Sequence, residues 1–256
     1  MNEKYNNTQM NSIIYGIRPV IEAIREGKQI DKILLQTNLT GENIRQLKDE
    51  LRVSNQNVKL QYVPVEKLNS VSKCANHQGV VAYCSPVEYS DLETIVMQIF
   101  EQGKCPFILF LDHLTDVRNV GAIARTAECA GVDCIILPHE GTAQINSDAI
   151  KTSAGAILRI PVCKSFNTKT TLNFLRQSGI KIYSASEKAN KIYTGVNMQE
   201  PLCIIAGAED KGVSKDALKM SDELLKIPMQ GEIESLNVSV ATGILIYEVI
   251  RQRTLN

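Results

Sequence analysis

From residue 106 onward the chain alternates between short, uninterrupted apolar runs and longer stretches of helical period. The runs are Phe107–Asp112, Cys134–Leu137, Lys181–Ser184, Leu202–Ala206 and Glu223–Ile227; helical patterns at Val120–Ala130, Asp148–Leu158, Thr170–Gln177 and Lys215–Met220 fall between most of them. A strand that is apolar at every position must be covered on both faces, and helices that carry the chain back between strands supply that cover. The pattern therefore predicts an α/β fold with a parallel sheet. In such sheets a ligand sits beyond the carboxyl ends of the strands.

The preceding stretch reads as a smaller α/β domain over 13–86. It has helices at Ile17–Glu26, Glu42–Leu51 and Val65–Val71, and strands at Lys32–Leu35, Lys59–Val63 and Gly79–Tyr83. Residues 87–105 read as a linker with one amphipathic helix, Leu92–Phe100, stopped by Gly103 and Pro106. The polar opening, residues 1–12, reads as a disordered tail without the basic-then-apolar layout of a signal peptide. At 256 residues and 44% apolar content there is enough chain for two cores, and no apolar run approaches the roughly 18 residues of a membrane span.

Several chemistries are excluded by what the chain lacks. Its seven cysteines form no CxxC pair and its three histidines are scattered, so the thiols read as reduced and buried in a cytoplasmic protein, with no metal site. Neither GxGxxG nor GxxxxGK[ST] nor GxSxG occurs, which weighs against a dinucleotide site, a P-loop and an α/β-hydrolase. Net charge is zero, and residues 1–90 carry 11 Lys and Arg against 9 Asp and Glu. Any nucleic-acid surface must then be a local patch.

Three loops at strand ends carry the polar chemistry. In the first, FLDHLTDVRNVGAIARTAECAG, the helix is expected to begin near Asn119–Gly121 with Asn119 as its cap, and Arg125 stands out among small and apolar neighbours. In the second, IIAGAEDKGVS, Gly207 permits close approach of a ligand and Glu209 can accept its hydrogen bonds. In the third, IPMQGEIESLNVSVATGILIYE, Ser235, Leu236 and Asn237 lead into a helix with apolar residues at Val238, Ala241, Leu245 and Val249.

Taken together and in this order, the three loops resemble the motifs of the SpoU/TrmH branch of the SPOUT RNA methyltransferases. YGIRPVIEAI, ANHQGVVAYCSP and KTSAGAILRIPV extend the likeness over nearly the whole chain, toward the bacterial enzymes that methylate a guanosine ribose of 23S rRNA. The resemblance implies a trefoil-knotted SPOUT domain over 106–256, an RNA-binding domain of ribosomal-protein type over 13–86, and a homodimer. It also implies S-adenosyl-L-methionine as cofactor, held by Gly207, Ala208, Ile227, Met229, Ser235, Leu236 and Asn237. Methyl transfer would go to a ribose 2′-hydroxyl, with Arg125, Asn119, Glu209, Ser235 and Asn237 as catalytic residues. Asn119 and Glu209 would orient Arg125 and the ribose.

A guanidinium is protonated at any ordinary pH, so Arg125 is expected to hold a phosphate or a developing alkoxide rather than to act as a base. His113, in the first loop, is a minor candidate for proton transfer. RNA contacts in the first domain are expected from Arg18, Lys28, Lys32, Arg45, Lys73 and the turn Asn76-His77-Gln78, with Tyr15 and Tyr83 available for stacking. The same reaction on tRNA, or a catalytically silent RNA-binding assembly factor, are the competing readings.

Overall fold

A computed structural model of the chain describes residues 13–54, 56 and 58–254. The expected tail at 1–12 lies outside the described residues. The chain forms two compact units that divide between Glu88 and Tyr89.

The first unit runs β1 (Ile13–Tyr15), α1 (Ile17–Arg25), β2 (Ile30–Gln36), α2 (Glu42–Val53), β3 (Lys59–Val63), α3 (Val65–Ser72) and β4 (Val80–Cys84). Its sheet has the order β1-β4-β2-β3, with β2 and β3 parallel and β4 antiparallel to β1 and β2. Strand alternation sends Ile33, Leu35, Val80 and Ala82 to one face, where α1 and α2 meet them with Val20, Ile24 and Leu47. Leu34, Val63 and Val81 point the other way and pack on Leu68 of α3. The three-residue β1 is too short to show a period, and the sequence reading misses it.

The second unit runs β5 (Tyr89–Ser90), α4 (Leu92–Glu101), β6 (Phe107–Asp112), α5 (Val117–Cys129), β7 (Cys134–Pro138), α6 (Ser147–Thr152), β8 (Val162–Ser165), α7 (Thr168–Gln177), β9 (Lys181–Ala185), β10 (Lys191–Ile192), β11 (Leu202–Gly207), α8 (Lys215–Met220), β12 (Glu223–Lys226) and α9 (Val238–Thr254). Its eight strands lie in the order β10-β12-β9-β11-β6-β7-β8-β5, and their pairings are parallel. Ile108, Phe110, Cys134, Ile136, Cys203 and Ile205 share one core with Val96 of α4, Leu172 and Leu175 of α7 and Ala217 of α8. The alternate residues Leu109, Leu111, Ile135 and Ile204 are fully buried as well, so both faces are covered. Among the described residues no helix is long and apolar enough to cross a membrane.

Three expectations need correction. From Tyr89 onward the stretch 87–105 belongs to the second unit: β5 pairs with β8, and α4 buries Val96 and Ile99. The helix expected over Asp148–Leu158 stops at Thr152, because Ala154 and Gly155 turn the chain at positive φ before a short 3-10 turn. The cysteines are all unpaired, but only the strand residues Cys134, Cys163 and Cys203 are buried. Cys74, Cys105 and Cys129 sit at element ends, exposed, and Cys84 is half-buried.

Candidate active site

β6 and β11 are neighbours in the sheet, and their last residues, Asp112 and Gly207, pair in register. Asp112 is wholly buried. One of its carboxylate oxygens accepts from the Ser214 backbone N–H at 2.7 Å, and the other bonds His113 Nδ1 at 2.6 Å. The first and second loops are thereby tied together at their roots. The third loop returns from β12 and ends at Asn237, where α9 begins and packs on α5 and β11.

α5 begins two residues earlier than its sequence suggests. Asp116 caps it, accepting from the Arg118 N–H, so Asn119 lies inside the first turn and its amide is not spent on the cap. That amide instead donates to Glu209 Oε1 at 2.9 Å. Asn237 donates to the same Oε1 at 2.8 Å and to Asn119 Oδ1 at 3.1 Å. The Asn237 Oδ1 accepts from the N–H of Ser239 in the first turn of α9, which fixes the amide with its NH2 toward Glu209. One residue from each loop thus closes a triangle. Within it Glu209 Oε2 takes no protein donor among the described residues.

Beside the triangle lies a cavity of about 850 Å³ whose wall includes Gly207, Ala208, Glu209, Ile227, Met229, Ser235, Leu236 and Asn237. Ala185, at the end of β9, and Ser186 and Lys188 of the loop after it also line the cavity. Nothing in their sequence marks them, because they supply wall and backbone rather than a recognisable cluster. Gly207 needs a different reason from the one expected. A Cβ there would stand 2.1 Å from Gly212 C and Val213 N, so its own loop, not a ligand, demands glycine. Reciprocal backbone bonds between Ala208 and Gly212 close that loop and hold Glu209 at its tip. Gly121 likewise serves packing: a Cβ would stand 2.9 Å from Ala149 O and Thr152 Cβ of α6.

Arg125 does not join the triangle. It is exposed on α5, absent from the cavity wall, and without a hydrogen-bond or ion-pair partner among the described residues. Asn119 and Glu209 orient Asn237 and each other, not Arg125 as expected. The neighbouring Thr126 faces Gly243 of α9. His113 also stays outside the cavity wall.

In the first unit the turn expected to contact RNA leaves Asn76 and Gln78 exposed but turns His77 inward. His77 is buried, bonding Asn69 and accepting from the Gly79 N–H, and Gln78 accepts from the Ile17 N–H. The cations gather elsewhere. Lys32 stands beside Lys59 on the adjacent strand and beside Tyr83 on the other side, with its ammonium 4.6 Å from the Tyr83 ring centre. Partial burial, then Lys67 and Lys59, push the Lys32 ammonium below its ordinary value. Lys59 and Lys67 carry no sequence signal of their own; only strand register and the placement of α3 bring them to Lys32.

Comparison with known proteins places the chain in a family. Residues 106–247 match the SpoU rRNA Methylase family, and residues 13–90 match the RNA 2′-O ribose methyltransferase substrate binding family. The chain is 36% identical, over 94% of its length and 96% of the other's, to a Staphylococcus saprophyticus protein assigned to the TrmH family of tRNA/rRNA methyltransferases. Its likeness to the Bacillus subtilis family member YacO is 32%, over 96% and 98% of the two chains. In fold it is similar to an AdoMet-bound rRNA methyltransferase from Sinorhizobium meliloti (TM-score 0.60, 24% identity, 98% of this chain and 90% of that one). It is equally similar to the SpoU methyltransferase AviRb from Streptomyces viridochromogenes (TM-score 0.61, 20% identity, 99% and 98%). With a family match over most of the catalytic unit and a second over the N-terminal unit, the chain belongs to the SpoU/TrmH family of RNA methyltransferases.

Proposed function

We propose that this protein transfers the methyl group of S-adenosylmethionine to a ribose 2′-hydroxyl of RNA, with a guanosine of 23S rRNA as the substrate. The observation that carries the reading is the Asn119–Glu209–Asn237 triangle standing beside a cavity built by two of the same loops. The cavity volume lies within the roughly 300–1,000 Å³ usual for small-molecule sites, and its wall mixes backbone groups of 207–208 and 235–237 with the apolar Ile227, Met229 and Leu236. Such a wall suits a nucleoside with a flat ring and a polar tail. The cofactor supplies an electrophilic methyl group on a sulfonium.

The protein's own residues place the hydroxyl and polarise its O–H bond. Glu209, held rigid through Oε1, offers Oε2 to accept a hydrogen bond from the ribose hydroxyl; Asn119 and Asn237 keep that carboxylate from turning away. Ser235, exposed at the cavity rim, adds a hydroxyl to the same edge. Arg125, without a partner among the described residues, is available for a phosphate of the bound strand. Lys32, Lys59 and Lys67 supply phosphate contacts from the N-terminal unit. A homodimer fits the surface of α9: Val240, Ile244 and Tyr247 follow a helical stripe, and Val240 and Tyr247 are about half exposed. A cytoplasmic setting goes with the same reading.

Ribosomal RNA is preferred over tRNA because of the N-terminal unit. The S. meliloti rRNA methyltransferase aligns with 98% of this chain, whereas the TrmH/SpoU tRNA modifying enzyme of A. aeolicus aligns with 63%. The test is incubation of the purified protein with labelled S-adenosylmethionine and unmodified 23S rRNA or tRNA, followed by nuclease mapping of the product. Label in a 23S guanosine ribose is expected. Label in tRNA alone would overturn the substrate, and no label in either would leave a silent RNA-binding factor.

A further inference from the structure

β6, β7 and β8 lie side by side, and the residue immediately past the end of each carries a ring: His113, His139 and Phe166. The strand register runs Phe110 to Ile136 to Cys163 and Pro138 to Ser165, so the three residues stand level across three adjacent strands. Neighbouring strands are about 4.8 Å apart, which makes the row about 10 Å long, the reach of a nucleotide or two of single strand. The row sits at the carboxyl ends of the strands, where substrates of parallel sheets bind, but outside the cofactor cavity wall.

Each ring is held. His139 donates its backbone N–H to Ser165 O at 2.8 Å, and its imidazole lies 4.7 Å from the Phe166 ring at an interplanar angle of 41°. His113 adopts φ 59, a region costly for a residue with a side chain, and is pinned between Asp112 and Gly141, where a Cβ would come within 2.7 Å of its ring. Phe166 nevertheless remains 61% exposed. A lone exposed phenylalanine needs no explanation. A phenylalanine braced against one imidazole and in line with a second, across strands that include the one leading into the Asn119 loop, is a stacking surface.

We propose that this row is a base-stacking platform: an unpaired nucleobase flanking the methylated nucleotide lies on Phe166 and His139, with His113 walling the end nearest the triangle. The inference rests on the RNA methyltransferase reading and adds to it the residues that seat the strand. Single-stranded bases are commonly recognised by stacking on aromatic side chains, including histidine.

The test uses the full chain with short RNA hairpins carrying 2-aminopurine at single loop positions, in the presence of S-adenosylmethionine. Wild-type protein should quench one position, and Phe166→Ala should abolish that quenching and raise the KM for RNA by about 5- to 150-fold, the range for loss of one base–aromatic stack. Turnover at saturating RNA and cofactor affinity should stay unchanged, and Phe166→Tyr should retain the quenching. Unaltered quenching and KM in Phe166→Ala would overturn the platform, as would a change of oligomeric state showing that a second copy covers the ring. A wild-type protein that quenches the probe but methylates nothing would sink the activity and leave the platform standing.

Discussion

At the residue scale, the site depends on one oxygen doing two jobs. Glu209 Oε1 takes donors from both Asn119 and Asn237, so the triangle survives any side chain that keeps an acceptor there. Glu209→Gln should therefore fold and bind cofactor normally while losing the charge that faces the ribose. Hydrogen bonds to charged groups are worth about 1.5–3 kcal/mol, so turnover should fall by about 10- to 150-fold with cofactor affinity within a few-fold of wild type. Wild-type turnover in that variant would reduce Glu209 to a scaffold. Arg125 makes the opposite case, since it holds no hydrogen-bond or ion-pair partner among the described residues. Arg125→Ala should leave stability and cofactor affinity intact and lower turnover about 100-fold or more, the scale of a lost oxyanion-type contact. Arg125→Lys should not restore it, because an ammonium lacks the two-pronged fork; near-normal turnover in the lysine variant would remove the guanidinium from the mechanism. These residues were legible in the sequence as types near strand ends. Their partners were not, because which amide meets which carboxylate is decided by loops 90 and 118 residues apart in the chain.

At the scale of elements, the strands of the catalytic unit could be read because each is apolar along its length and flanked by breakers. β8 escaped, since Val162–Ser165 mixes Val, Cys, Lys and Ser, and so did the two-residue β5 and β10, which exist only by pairing with neighbours. The anchoring of α9 was equally hidden. Arg253, in its last turn, donates to the carbonyls of Cys105, Pro106 and Glu200, and Gln252 bonds Val196 O and the Met198 N–H. From sequence both look like ordinary residues of a frayed helix end. The structure makes Arg253 a clamp that fastens α9 to the start of β6 and the approach to β11, and burial lowers its guanidinium below the ordinary value. Arg253→Ala would take a donor from three carbonyls; Pro106 O keeps the Leu202 N–H, whereas Cys105 O and Glu200 O lose this partner, at roughly 1–3 kcal/mol apiece where water cannot reach them. We expect a loss of about 2–4 kcal/mol in urea unfolding, with α9 loosening first in hydrogen exchange. Unchanged protection of α9 in the variant would mean that its packing on α5 alone fixes it.

At the scale of the whole molecule, zero net charge sets what kind of RNA binding is possible. A neutral protein has no general field to draw in a polyanion, so phosphate affinity has to come from places where cations are collected against their own repulsion. Lys32 and Lys59 side by side on β2 and β3, with Lys67 near enough to depress Lys32, form such a place. Lys67 and Lys32 repel each other, a repulsion that a bound phosphate would relieve. The expected set of Arg18, Lys28, Lys32, Arg45 and Lys73 was chosen from sequence by charge alone; Lys32 belongs to the cluster, whereas Lys28 sits 3.7 Å from Glu26. Charge type is local information, whereas which cations converge is a property of strand register, and only the folded sheet contains it. The consequence is measurable as salt dependence. Each phosphate contact to a single strand contributes about 0.7 to the slope of log affinity against log salt. Replacing Lys32 and Lys67 together with Gln should flatten that slope by about 1.4, weaken RNA binding most at low salt, and leave cofactor affinity and turnover at saturating RNA unchanged. A slope identical to wild type would show that these ammonium groups never meet the RNA backbone, and the phosphate contacts would then have to be sought on the catalytic unit, beginning with Arg118 and Arg125.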